Sequence, residues 1–186
     1  MCIMLAVFMG KVLKKKTAVA GDEVTYSLML RQMQKASAIQ HKGIASRHAY
    51  SMDGIDYYCG ISDEDIGILR QKYDVIILDI SFENTFDNTN VTFARMVSRL
   101  SACDEKILAG SMLPWKSREC EKKMERIERF LDIRGLKMVT LATCDKEAVS
   151  IIKKHGVEVV LIPFERNPFV ISGENLRSFL ELLKIT

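Results

Sequence analysis

The sequence predicts a three-layer α/β fold, with a mostly parallel β-sheet and helices on both of its faces. Short β-branched runs alternate with segments of helical periodicity along nearly all of the 186 residues. The run Val75–Leu78 is apolar at every position, which is typical of a strand covered on both faces. We therefore expect Val75–Leu78 to be central. No repeat or linker interrupts the alternation, so one domain spanning residues 1–186 is expected.

Six short runs have the composition of strands: Thr17–Ala20, Ile55–Tyr58, Val75–Ile80, Lys106–Gly110, Met138–Ala142 and Val157–Ile162. Apolar residues recurring every three or four positions predict four helices. Their buried faces are expected at Val91, Ala94, Val97 and Leu100; at Cys120, Met124, Ile127 and Leu131; at Ala148, Val149 and Ile152; and at Leu176, Phe179, Leu180 and Leu183.

Capping residues mark the ends of the last two of these helices. Asp145 and Ser172 are expected to cap their amino ends, and Gly156 is expected to follow His155 as a left-handed cap. The stretch from Gln34 to Gly54 is the least patterned part of the chain and is expected to be a loop.

Composition excludes several classes of function. The chain has 27 Lys and Arg against 24 Asp and Glu, a formal charge of +3 that is evenly spread, so no specific nucleic-acid binding is predicted. The apolar stretch Met1–Gly10 is shorter than the roughly 20 residues of a membrane span, and it lacks the flanks of a secretory signal. We therefore expect a cytoplasmic protein. The odd number and wide spacing of the five cysteines predict reduced thiols.

The first residues are unusual for an α/β chain. Met1 to Lys15 is apolar on almost all sides and then basic, which predicts a buried helix at a place where such folds usually have a strand. A strand at Ile3–Phe8 is disfavoured, because a parallel crossover from it to Thr17 would need a dozen or more residues.

One aspartate stands out as a candidate ligand-binding residue. Asp79 ends the apolar strand that begins after Tyr73. In doubly wound folds ligands bind beyond the carboxyl ends of the strands, so Asp79 is the candidate to hold Mg²⁺ or its water shell. The alternative is that Asp79 only forms the turn after the strand.

The order of segments resembles that of the ParA/MinD-type P-loop ATPases, including degenerate relatives that serve as localisation factors in pilus assembly. Tyr73–Asp79 looks like the Walker B strand, and Met4–Lys15 looks like the helix after the phosphate-binding loop. Val157–Phe164 looks like the late strand and the Ile-Pro turn near the nucleotide base. The resemblance implies ATP and Mg²⁺ as cofactors and assigns cofactor contacts to Asp79, Asp22, Pro163 and Arg166, with Asp79 at the metal.

The sequence departs from that family at the phosphate-binding loop. The motif G-x-x-x-x-G-K-[ST] is absent, and the single Gly-Lys pair, Gly10-Lys11, is followed by Val12 in place of the hydroxyl residue. The first strand and the loop are therefore expected to be missing. We expect ATP binding to be weak or absent and assign no catalytic residue.

Three functions are compatible with these features. The first is a non-catalytic ParA/MinD-like domain that positions or scaffolds protein partners, or a homodimer, in a pilus or secretion apparatus. The second is the carboxyl portion of a working ATPase whose phosphate-binding loop lies upstream. The third is a receiver-like or flavodoxin-like binding domain, with Asp79 as the phosphorylated residue, Asp22 and Glu23 beside it, and Lys106 or Lys137 as the lysine.

Overall fold

The computed structural model describes residues 1–21, 37–39, 44, 48–80, 90–111, 113–132, 135–141 and 146–185. The chain divides into two compact units. The first unit comprises Met1–Phe86 with Asn167–Ile171, and the second comprises Asp87–Arg166 with Ser172–Thr186. No helix among the described residues is long and apolar enough to cross a membrane.

The first unit contains a five-stranded sheet of order β2-β3-β4-β1-β5. Strands β4, β1 and β5 are mutually parallel, whereas β2, β3 and β4 are joined by antiparallel pairing. The strands are β1 (Thr17–Gly21), β2 (Ser37–Ala38), β3 (His48–Met52), β4 (Ile55–Cys59) and β5 (Val75–Leu78).

Helices cover both faces of this sheet. Helix α1 (Cys2–Val7) continues into a π-helical segment (Phe8–Val12), in which the Leu13 N–H donates to the Phe8 carbonyl, five residues earlier. This segment packs on the face of the sheet that carries Ile55. Helix α2 (Asp63–Arg70) contributes Ile66 and Leu69 to a core with Ala18, Ala20 and Tyr58, which alternation places on the other face. The prediction of a buried apolar helix at the start of the chain is confirmed, because Ile3 to Phe8 are all buried.

The expectation of a loop from Gln34 to Gly54 is wrong for its described part. Strands β2 and β3 lie there, and β3 pairs with β4 through a two-residue turn at Asp53 and Gly54. Both turn residues have positive φ, 53° and 79°, as a type I′ hairpin turn requires. The Asp-Gly dipeptide is the sequence signal of this hairpin. Residues 34–36, 40–43 and 45–47 of the expected loop lie outside the described residues.

The second unit contains a parallel three-stranded sheet of order β6-β7-β8. Its core includes Met124, Ile127, Met138, Ile152, Phe179 and Leu182, all at most 2% exposed. The strands are β6 (Ile107–Ala109), β7 (Lys137–Leu141) and β8 (Glu158–Ile162). The helices are α3 (Asn90–Ser101), α4 (Pro114–Glu128), α5 (Lys146–Lys154) and α6 (Gly173–Leu183).

The six predicted strands are all present, with ends that differ by one or two residues where they are described. The predicted fold class is also observed, because four of the six strand pairings are parallel and helices accompany both sheets. The central position expected for Val75–Leu78 is not observed, since among the described residues β5 pairs with β1 alone and ends the strand order.

Among the described residues, the predicted caps and most of the predicted helix faces agree with the structure, since the face residues Cys120, Met124, Ile127, Ile152 and Phe179 are buried. The Ser172 hydroxyl accepts the Asn175 N–H at the start of α6, and Gly156 follows α5 with φ of 75°. Asp145, the other expected cap, lies outside the described residues. In α3, however, Phe93 and Met96 are buried whereas Ala94 is exposed.

Candidate functional site

The carboxyl ends of the three parallel strands in the first unit meet at one edge of the sheet, and Asp79 lies there. Its backbone N–H donates to the Ala20 carbonyl at 2.7 Å, immediately after β5. The Gly60 N–H donates to the Gly21 carbonyl at 3.0 Å, which aligns the ends of β4 and β1. Asp79 is half-buried, and the bond to Ala20 fixes its backbone at the edge where ligands bind in parallel α/β folds.

The Gly10-Lys11 pair lies at the opposite edge of the same sheet. A Cβ on Gly10 would stand 3.0 Å from Cγ1 of Ile55 and 3.8 Å from the Thr17 hydroxyl, and these are the first residues of β4 and β1. The Lys11 ammonium donates to the Asp53 carboxylate, in the turn before β4, at 2.6 Å. With a rise of about 3.3 Å per residue, a strand separates Asp79 from this edge by about 13 Å.

These positions do not fit a bound ATP–Mg²⁺ group. A phosphate-binding loop presents free backbone N–H groups, whereas here the Leu13 and Lys15 N–H groups donate to Phe8 and Met9. The Lys11 ammonium is already paired with the Asp53 carboxylate, at the sheet edge opposite Asp79. Among the described residues, no group of three or more His, Cys, Asp or Glu side chains is arranged to hold a metal ion. At the carboxyl edge of the first sheet we therefore identify the Asp79 carboxylate, and the described residues contain no phosphate-binding loop.

Among the described residues, the other predicted cofactor contacts do not belong to the same unit as Asp79. Asp22 lies outside the described residues. Pro163 and Arg166 follow β8 and belong to the second unit, where Pro163 is half-buried and Arg166 is exposed. Between them, the Glu165 carboxylate accepts the Asn175 side-chain N–H at 3.3 Å, which ties this turn to the start of α6. Lys106 and Lys137 also belong to the second unit, whereas Asp79 belongs to the first.

A hydrogen-bonded tyrosine network at the amino edge of the first sheet was not anticipated from the sequence. The Tyr73 hydroxyl donates to the Asp56 carboxylate at 2.5 Å, and it lies 2.7 Å from the Tyr58 hydroxyl. Burial raises the pKa of Tyr73, and the bond to Asp56 raises it further. Burial also raises the pKa of Tyr58. Both hydroxyls therefore stay protonated. The network links the residue Tyr73, just before β5, to strand β4.

The second unit contains a polar cleft that was also not predicted from the sequence. It has a volume of about 300 Å³ and lies at the amino edge of the three-stranded sheet. We call it the lysine cleft, and its lining residues are Asp104, Glu105, Lys106, Gly135, Lys137 and Lys184. Lys137 is only 5% exposed, and its ammonium donates to the Glu105 carboxylate at 2.8 Å.

Comparison with known proteins identifies the fold. No protein-family model and no curated protein matches the chain. Among solved structures, the MinD cell division protein of Aquifex aeolicus aligns with a TM-score of 0.63 and 12% identity, over 100% of this chain and 92% of that one. The MinC:MinD cell division protein complex of Aquifex aeolicus aligns with a TM-score of 0.63 and 13% identity, over 99% of this chain and 91% of that one. A plasmid partition protein from Borrelia burgdorferi aligns with a TM-score of 0.55 and 10% identity, over 99% of this chain and 89% of that one.

The chain therefore has a ParA/MinD-like α/β fold, as its segment order predicts. At 10–13% identity these likenesses establish the fold alone.

Proposed function

We propose that this chain is a non-catalytic ParA/MinD-like domain that positions or scaffolds other proteins through direct contacts. The observation that carries the proposal is the location of Gly10-Lys11, which is helical, paired to Asp53 and at the sheet edge opposite Asp79. A lysine in that place cannot neutralise phosphates bound beside Asp79.

The energetic consequence is large. Phosphoryl transfer depends on backbone N–H groups, a lysine and a metal that stabilise charge in the transition state. Removing one such electrostatic contact typically raises the barrier by about 3 kcal/mol, and several are lacking among the described residues. Hydrolysis by these 186 residues is therefore expected to be no faster than the uncatalysed reaction with Mg²⁺.

Protein contacts are supported by exposed apolar side chains in the second unit. Phe164 is 75% exposed just after β8, close in sequence to Leu161, which is 42% exposed. Leu141, 48% exposed, pairs in register with Ile162 at the end of the same sheet. The register places Leu141 and Leu161 on opposite faces of the sheet, so each is an exposed apolar group near the carboxyl ends of β7 and β8 that is available to a protein partner. One similar structure is a MinC:MinD complex, which supports a protein partner or a second copy as the ligand here. The resemblance suggests a pilus or secretion apparatus as the setting.

Release of phosphate from ATP by the purified chain, with Mg²⁺ present, tests the proposal. We expect the same rate for the chain, for Asp79→Asn and for a protein-free blank. Light scattering with and without ATP should give the same molar mass, because nucleotide is not needed for association. Turnover above the blank that Asp79→Asn abolishes would contradict the proposal and support a working ATPase.

A further inference from the structure

The lysine cleft combines a buried cation with open space in front of it. Lys137 is the first residue of β7, and its backbone N–H donates to the Lys106 carbonyl at 3.0 Å, so the two residues lie side by side. Its side chain is 6% exposed, whereas that of its partner Glu105 is 55% exposed. The ion pair therefore joins a buried ammonium to a carboxylate at the surface.

The ammonium of Lys137 has more hydrogen-bonding capacity than this pair uses. An ammonium has three N–H donors, and the bond to Glu105 at 2.8 Å uses one of them. Burying a charged group is costly unless its donors find acceptors. The adjoining cleft of about 300 Å³ has room for an acceptor that would complete this coordination.

Two further ammonium groups border the same space. The Lys106 ammonium donates to the Cys103 carbonyl at 2.9 Å, a neutral acceptor that leaves its positive charge uncompensated. Lys184 reaches Glu158 at 3.1 Å with a side chain that is 66% exposed, so this pair is open to exchange. The lining side chains carry three positive charges and two negative ones, those of Asp104 and Glu105.

We propose that the lysine cleft binds a small oxyanion, such as inorganic phosphate or the phosphate group of a small monoester. The oxyanion would accept hydrogen bonds from Lys137, with Lys106 and Lys184 completing its neutralisation. Charge-assisted bonds from a buried donor are the stronger kind, and Lys137 is the one lysine of the cleft that is held in place by burial. The site belongs to the second unit and is independent of the function proposed for the chain.

The test is a titration of the ¹⁵N-labelled full chain with inorganic phosphate at constant ionic strength. The amides of Gly135 and Lys137 should shift and saturate with a Kd on the order of 1 mM. Lys137→Met should weaken binding about tenfold, because it removes a charged donor. Asp104→Asn should tighten binding about threefold, because it removes a repelling charge from the cleft.

Lys153→Met is the matched control, because Lys153 is exposed at the end of α5 in the same unit and is not part of the cleft. It should leave the Kd unchanged. If Lys137→Met does not fold, as judged by its amide spectrum, Asp104→Asn and Lys184→Met carry the test, with opposite effects on the Kd. An absence of saturation, or an equal Kd for Lys153→Met and the cleft variants, would overturn the proposal and leave the cleft as a solvated ion-pair network.

Discussion

The amino edges of the two sheets bury polar groups of different kinds. In the first unit the buried groups are neutral hydroxyls, with Tyr73 bonded to both Tyr58 and the Asp56 carboxylate. In the second unit the buried group is a cation, Lys137, compensated by Glu105. A hydroxyl both donates and accepts, so two of them can satisfy each other, whereas an ammonium only donates and depends on an outside acceptor. The second edge should therefore be more sensitive to the loss of one partner.

The largest effect is expected for Glu105→Gln. It leaves the Lys137 ammonium buried without its counter-charge, and the free energy of unfolding should fall by about 3 kcal/mol, at the low end for a broken buried pair because Glu105 is half exposed. Urea denaturation measures this. The control is Glu128→Gln, whose carboxylate lies 3.6 Å from the His155 imidazole. Because the His155 side chain is 24% exposed against 6% for Lys137, this substitution should cost less than about 1 kcal/mol. Equal losses for the two variants would remove the distinction between the more buried and the less buried pair.

Packing gives the next largest effect. A Cβ on Gly110 would lie 2.7 Å from Cys120 Sγ and from Met138 Cε, both in the core of the second unit. Gly110→Ala should therefore cost about 2 kcal/mol through overpacking. Gly67, in α2 of the first unit, has open space around the added methyl group, so Gly67→Ala should stabilise by about 0.5–1 kcal/mol. Thermal or urea unfolding should show a lower free energy of unfolding for Gly110→Ala and a higher one for Gly67→Ala. A lower value for both variants would contradict the difference in packing between the two glycines.

A smaller loss is expected for Tyr73→Phe. Removing this hydroxyl deprives Tyr58 and Asp56 of a partner and should lower the free energy of unfolding by about 1.5 kcal/mol. Tyr57→Phe is the matched control, because the Tyr57 hydroxyl is buried and has no hydrogen-bond partner among the described residues. It should be neutral or slightly stabilising. A loss at Tyr57 equal to that at Tyr73 would contradict the network.

The same tyrosines set the response to alkaline pH. Burial raises the pKa of Tyr57, Tyr58 and Tyr73 above the ordinary value of 10, so the folded state holds these protons more tightly than the unfolded state. The stabilisation that these three protonated hydroxyls give the folded state is complete below pH 10, the ordinary pKa in the unfolded state. It is lost as the pH rises from there through the higher pKa values of the folded state. Urea unfolding between pH 8 and pH 11 should show this fall, and Tyr73→Phe should flatten it. A fall as steep in Tyr73→Phe as in the parent chain would contradict the assignment.

Local patterns predicted the elements of this fold well. The apolar run Val75–Leu78, the cap at Ser172 and the left-handed Gly156 each follow from residues close in sequence. The β3–β4 hairpin was predictable from Asp53-Gly54, but sparse apolar alternation around this turn obscured it. In α3 the predicted residues Val97 and Leu100 are half-buried, but the face is completed by Phe93 and Met96 and not by Ala94, although Phe93 and Met96 have the same helical spacing in the sequence.

The sites depend on distant residues, which limits what the sequence can predict. The strand pattern predicted where Asp79 lies, because the end of a parallel strand is a local property. Asp56 and Tyr73 are 17 positions apart, and Glu105 and Lys137 are 32 apart, so only the register of the sheets brings each pair together. No spacing rule in the sequence marks such contacts.

The central claim is that Gly10-Lys11 is a helical end and not a phosphate-binding loop. Titration of the ¹⁵N-labelled chain with ATP and Mg²⁺ tests it most directly, because the amides of Gly10, Lys11 and Asp79 report on the two edges of the first sheet. We expect these three amides to keep their positions at millimolar nucleotide, even if phosphate groups shift residues of the lysine cleft. Saturable shifts of Gly10 and Lys11 together with Asp79 would show that the pair and the carboxylate share one nucleotide site, and would contradict the account.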